Sequence, residues 1–142
     1  MNELSHCLQY LERQHVLTLC TYSGDDCWAA NCFYVLDTKN ISFWIMTEPS
    51  TQHGQLMVAS SRVVGTVSEQ TESVAMLQGV QFQGRITLVQ DDDYQRGLDM
   101  YQQRFPIAKK KIAPLWELRI DRLKMTDNQL GFGTKLQWQR PE

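Results

Sequence analysis

The chain has 142 residues, 42% hydrophobic and 21% charged, with 14 basic against 16 acidic side chains. That balance predicts one ordinary globular domain spanning residues 1–142. A sequence pI near 5.9 excludes a duplex-binding module, which needs a dense basic face, and no apolar run approaches the roughly 20 residues that cross a bilayer.

The charges are unevenly spread. Residues 1–71 hold only Arg13, Lys39 and Arg62 as basic residues, and the other basic side chains follow. Lys109-Lys110-Lys111 comes after Asp91-Asp92-Asp93, and each run reads as solvated surface. Neither a basic leader nor a small-residue cleavage site opens the chain, so the expected compartment is the cytoplasm. Cys7, Cys20, Cys27 and Cys32 form no CxxC pair and read as reduced thiols. His6, His15 and His53 are dispersed and lack zinc-ligand spacing, so no metal is expected.

Asn2 or Ser5 caps a first helix with Leu4, Leu8 and Leu11 on one stripe, ending near Gln14. His15 to Tyr22 is rich in β-formers, and Gly24-Asp25-Asp26 turns the chain into a second run from Cys27 to Leu36, which together predict an antiparallel hairpin. Both faces of that second run are apolar, which predicts a strand covered on both sides. After a turn at Asp37–Asn40, Ile41 to Thr47 is a third strand. Gly54 to Ser60 reads as a short helix and Arg62 to Ser68 as a fourth strand.

From Val80 to Leu88 the alternation is clean: Val80, Phe82, Gly84, Ile86 and Leu88 face the core, while Gln81, Gln83 and Arg85 are wet. Asp91 to Asp93 start a helix whose stripe is Tyr94, Leu98, Tyr101 and Phe105. After Pro114 a strand alternates through Trp116, Leu118 and Ile120, then slips phase before Leu123, which predicts a bulge near Asp121-Arg122. Leu136 and Trp138 close the chain. No βαβ order or glycine-rich phosphate loop is present. The pattern predicts a mainly β (α+β) fold, a small antiparallel barrel with two or three flanking helices.

The segment "FWIMTEPSTQHGQL" resembles a pattern of the flavin-binding split-barrel superfamily typified by pyridoxamine 5′-phosphate oxidase: a strand ending in Thr or Tyr, a turn, Ser-Arg-Lys, and a helix. The resemblance covers nearly the whole chain. "QHV" at 14–16, "GVQFQG" at 79–84, "RFPIA" at 104–108 and "TDNQLGFGTK" at 126–135 are similar to an uncharacterised bacterial subgroup, the YhbP-like proteins. It implies a six-stranded split barrel, a homodimer, and an FMN site at the subunit interface with a small-molecule substrate.

On that resemblance Thr51 takes the serine position, Gln52 the arginine and His53 the lysine. Thr47, Ser50, Thr51, Gln52 and His53 would hold cofactor at a helix start, which offers free N–H groups to a phosphate. Asn31 and Gln81 would lie near the flavin ring, with Ala30, Cys32, Trp44 and Ile45 as its walls. Gln52 and His53 lack the fixed double charge, and Arg62, Arg104, Lys109 or Lys135 are candidates to replace it. No spacing identifies a nucleophile or proton donor; Cys27 and Cys32 read as core packing, and the cofactor would carry the chemistry. The expected function is FMN binding, with an FMN-dependent oxidoreductase or flavin reductase as its active form. The alternative is a non-catalytic homodimer that has lost tight FMN binding, and a third reading places haem or F420 in the cleft.

Overall fold

The computed structural model describes residues 2–142. Helix α1 (Glu3–Arg13) is capped by Asn2, whose side chain accepts from the Ser5 N–H at 2.7 Å. Strands β1 (Val16–Ser23) and β2 (Asp26–Phe33) form the predicted hairpin, closed at Gly24 with φ +59°, a conformation that glycine adopts without strain. Then come β3 (Val35–Asp37), β4 (Ser42–Met46), α2 (Gln52–Ala59), β5 (Arg62–Ser68), β6 (Gln78–Leu88), α3 (Asp93–Arg104), β7 (Leu115–Asp127) and β8 (Lys135–Gln139).

All eight strands join one antiparallel sheet in the order β2-β1-β5-β6-β7-β4-β3, with β8 also paired to β7. The expectation of six strands is therefore corrected to eight, for two reasons. The run from Cys27 to Leu36 is not one strand, because it breaks at Tyr34 into β2 and β3, and the C-terminal stretch adds β8 along β7. β7 is long enough to pair with β4 through residues 115–119 and with β8 through residues 122–126 on the same edge.

The break at Tyr34 dictates the shape. β2 and β3 stand at opposite ends of the hydrogen-bonded path, yet one residue separates them, so the sheet must curl until its two ends approach. Tyr34 is buried at the junction, its hydroxyl donating to Leu11 O at 2.6 Å and its N–H to His15 O at 3.0 Å. The inward faces enclose the main core, among them Leu17, Leu19, Phe43, Ile45, Phe82 and Leu118. Full burial of each such side chain contributes about 1.5–3 kcal/mol.

A second core explains why β4 is apolar on both faces. Phe43 and Ile45 point into the barrel, whereas Trp44 points outward and is covered by α3 through Leu98 and Tyr101. Asp91 Oδ1 accepts from the Asp93 N–H at 2.9 Å at the start of that helix. The predicted bulge is present: Gln83 pairs with Arg122 and Gly84 with Ile120, leaving Asp121 as the extra residue.

Strand β2 departs from its expectation. Cys32 is buried, but Cys27, Trp28, Ala29, Asn31 and Phe33 are exposed. Its apolar character is therefore not explained by coverage within the chain, and the reading of Cys27 as core packing is corrected. No helix among the described residues is long and apolar enough to cross a membrane.

Candidate functional site

The end of β4 and the start of α2 form a tightly bonded turn. Thr51 is the N-cap: its Oγ1 accepts from the Gly54 N–H at 2.9 Å and donates to Glu48 O at 2.8 Å. Only glycine fits at position 54, because a Cβ there would stand 2.3 Å from Glu48 O and 2.7 Å from Thr51 Oγ1. Thr47 is fixed by three bonds, from its N–H to Pro114 O at 3.1 Å, from the Trp116 indole N–H to its carbonyl at 3.0 Å, and between its hydroxyl and His53 Nε2 at 2.8 Å. The turn thus brings Thr47, Ser50, Thr51, Gln52 and His53 together.

Its chemistry is nearly neutral. The Thr51 hydroxyl has used both its donor and one acceptor position on the chain itself. Burial pushes the His53 pKa below its ordinary 6.5, so the imidazole is neutral near pH 7. Glu48 sits exposed in the same turn and disfavours an anion. What remains for a phosphate is the pair of first-turn N–H groups at Gln52 and His53 and the exposed side chains of Ser50 and Gln52.

Two of the four candidate replacement cations, Arg104 and Lys135, are bonded elsewhere. Arg104 donates to Gln14 O and contacts His15 Nδ1, and Lys135 donates to Thr126 Oγ1 at 2.9 Å. Arg62 lies opposite Arg85 on the outer face of the sheet. Lys111, the last residue of the lysine run expected to be solvated surface, lines an apolar cavity of about 280 Å³ with Phe33, Tyr101, Phe105 and Met46, the residue before Thr47.

Asn31 and Gln81 lie on that outer face. Cross-strand pairing sets Asn31, Thr18, Thr66, Gln81, Lys124 and Gln137 in a single row across six strands. Asn31 Oδ1 accepts from the Thr18 hydroxyl at 3.0 Å. Three strand spacings, about 14 Å, separate Asn31 from Gln81, so the fold does not set these two side by side.

The expected ring walls are corrected in part. Trp44 and Ile45 are fully buried in the two cores and cannot touch a ligand, because a side chain covered on all sides presents no surface. Cys32 is buried as well, its thiol pushed up to about 11 by burial, while Ala30 is partly accessible. The larger concavity is elsewhere, a groove of about 460 Å³ whose lining includes Gln81, Gln83, Arg122, Lys124 and Trp138. The wet face of β6 carries Gln81 and Gln83, and Arg122 and Lys124 join them only through strand register.

No family model matches the chain. A UPF0306 protein of Serratia proteamaculans is 46% identical over 138 residues, covering 97% of this chain and 96% of that protein. The chain belongs to the UPF0306 family. A UPF0306 protein of Photorhabdus laumondii is likewise 46% identical over 132 residues, 93% of this chain and 92% of its own.

Among solved structures, a heme-binding protein from Mycobacterium smegmatis superposes with a TM-score of 0.83 at 16% identity, covering 98% of this chain and 58% of that one. The heme storage protein HutZ from Vibrio cholerae gives 0.71 at 12% identity over 85% of this chain and 92% of its own. An FAD-binding protein from Mesorhizobium loti gives 0.71 at 13% identity over 85% and 91%. At such identities the likeness establishes the fold alone: this UPF0306 chain has the mainly β, antiparallel split-barrel architecture of these proteins, with three flanking helices.

Proposed function

We propose that this UPF0306 protein binds FMN between two copies of itself and works as an FMN-dependent oxidoreductase or flavin reductase on a small molecule. The observation that carries the reading is the groove of about 460 Å³ containing Gln81, Gln83, Arg122, Lys124 and Trp138. Its size falls within the ~300–1,000 Å³ of small-ligand sites, and its exposed polar groups come from β6 and β7, while Trp138 pairs with Leu123 and packs on the core behind it. Glutamine side chains donate to and accept from the edge of a planar heterocycle, and Arg122 and Lys124 supply charge for an anion.

Dimerisation gives the outer face a partner. Val16 and Phe33 are exposed as a cross-strand pair on one side of the polar row Asn31–Thr18–Thr66, and Tyr22 and Val64 are exposed on the other; a second copy would cover these apolar side chains. The groove and the Thr47–His53 turn share no lining residue within one chain. A second copy would let the turn of one protomer hold phosphate through the Gln52 and His53 N–H groups while the groove of the other supplies charge. Bound FMN supplies hydride transfer; the chain's own groups bind, orient and exclude water. The neighbours described as heme- and FAD-binding are consistent with a planar cofactor, and the YhbP-like motifs agree with an uncharacterised family.

The second reading, a non-catalytic dimer without tight FMN binding, is favoured by the neutral His53 and the self-satisfied Thr51 cap. The absorption spectrum of the freshly purified protein, followed by FMN titration, separates the two. A yellow chromophore near one per subunit supports the flavin reading, and a colourless protein that takes up no FMN at high concentration eliminates it.

A further inference from the structure

Arg62, Arg85 and Arg119 stand directly opposite one another on β5, β6 and β7. The row continues to Ser42 on β4 and Asp37 on β3, where α3 covers it, so the three guanidinium groups form its open end. All three residues are exposed. Like charges directly opposite on neighbouring strands are destabilising, and adjacent strands lie only about 4.8 Å apart.

Little within the chain offsets this charge. Arg85 reaches Asp121 at 3.8 Å, and Arg140, at 4.0 Å, shares the same carboxylate. Arg62 and Arg119 have no carboxylate within ion-pairing distance among the described residues. Of the other acids on β7, Glu117 is next in phase to Arg119 and Asp127, at the far end of the strand, is held by His6; Asp37 and Asp93 are engaged by Arg96. Arg140 adds a further positive charge near Arg119. Arg122 and Lys124 extend the basic character into the groove along β7.

We propose that the row Arg62–Arg85–Arg119 is an anion site that takes the diphosphate group of a small ligand. Guanidinium forks match phosphate oxygens bidentately. Three of them spread over about 10 Å exceed what one phosphate can engage and suit two linked phosphates. Gln83 and Arg122, in the adjacent row, connect the site to the groove, so a nucleoside diphosphate has room for its base there. The site is distinct from the Thr47–His53 turn and needs no flavin.

The test is isothermal titration of the full chain with pyrophosphate, orthophosphate, ADP and adenosine at low and moderate salt, beside the variants Arg85→Gln, Arg119→Gln and, as a control, Lys110→Gln. Pyrophosphate is expected to bind about tenfold more tightly than orthophosphate, with ADP tighter again and adenosine undetectable. Each arginine variant should lose about tenfold in pyrophosphate affinity, and the lysine control should lose none. Equal affinity for the two phosphates, or pyrophosphate binding untouched in both arginine variants, overturns the proposal. So does a change of oligomeric state in those variants with no pyrophosphate binding by the wild type, since the row would then meet acidic groups of a second copy. FMN titration of the same variants is read separately, because pyrophosphate carries no ring and its binding survives failure of the flavin reading.

Discussion

His6 Nε2 lies 2.7 Å from Asp127 Oδ2, joining the first helix to the far end of the longest strand across 121 residues of sequence. The carboxylate is buried and also accepts from Gln78 Nε2 at 3.1 Å and from the Gln129 N–H at 3.0 Å. Nearby, the Tyr10 hydroxyl donates to Gln78 O and accepts from the Glu69 N–H, so α1 is fastened to the barrel by polar contacts as well as by Cys7, Tyr10 and Leu11.

This network sets the acid limit of the fold. Burial alone would raise the Asp127 pKa, but hydrogen bonds from His6, Gln78 and the Gln129 N–H outweigh it and hold the carboxyl below its ordinary 3.8. A depressed carboxylate stabilises the fold above the unfolded pKa, and that contribution is lost as pH falls through the folded value. The melting temperature should therefore drop as pH is taken below about 4. Asp127→Ala should cost about 1–3 kcal/mol at neutral pH by leaving the Gln78 amide and the Gln129 N–H unpaired, measured by urea unfolding.

His53 gives a second pH dependence of different shape. Its pKa is lowered by burial, so the unfolded chain binds its proton more readily, and this group's contribution is complete above about 6.5. It declines as pH falls from there and becomes constant below the folded pKa. Titrating the imidazole by NMR should place its midpoint below the ordinary histidine value, and a midpoint at or above it would contradict the Thr47–His53 geometry.

The neutral turn also predicts a gain of function. The double variant Gln52→Arg with His53→Lys restores the two fixed charges that the resemblance places there. It should bind FMN at least about tenfold more tightly than wild type, since one charge-assisted hydrogen bond contributes about 1.5–3 kcal/mol. Fluorescence quenching of FMN reads the result.

Gly97 in α3 lies against the outward face of Trp44, where an added Cβ would stand 2.6 Å from the indole ring. Alanine ordinarily gains up to about 1 kcal/mol over glycine in a helix. Here Gly97→Ala should instead destabilise by about 1–3 kcal/mol through overpacking. Chemical denaturation distinguishes the sign.

If the outer face is the dimer interface, placing a negative charge at an exposed apolar side chain on it should separate the copies. Val64→Asp is expected to shift sedimentation from a dimer toward the 16.5 kDa chain, with the fold unchanged by circular dichroism. A wild type that is already monomeric would remove the interface from the proposed function.

Much of this architecture can be read from residue order, for a local reason. The alternation in Val80–Ile86, the cap at Asn2, the turn at Gly24 and the phase slip at Asp121 each depend on neighbours a few residues away, and each has its counterpart in the structure; Leu88, expected to face the core with them, is exposed at the strand's end, where no neighbour covers it. The hydroxyls and amides of the Thr47–His53 turn were legible for the same reason. Tertiary structure alone decided that Cys27–Leu36 breaks at Tyr34, because that residue is set by Leu11 and His15 from another element. It also decided that Trp44 and Ile45 are core and not ligand walls, since α3 arrives from about 50 residues downstream in sequence to cover one face. Above all it assembled Arg62, Arg85 and Arg119 into one row. Strand register is fixed by contacts distant in sequence, so three arginines that look unrelated along the chain become neighbours only when the sheet forms.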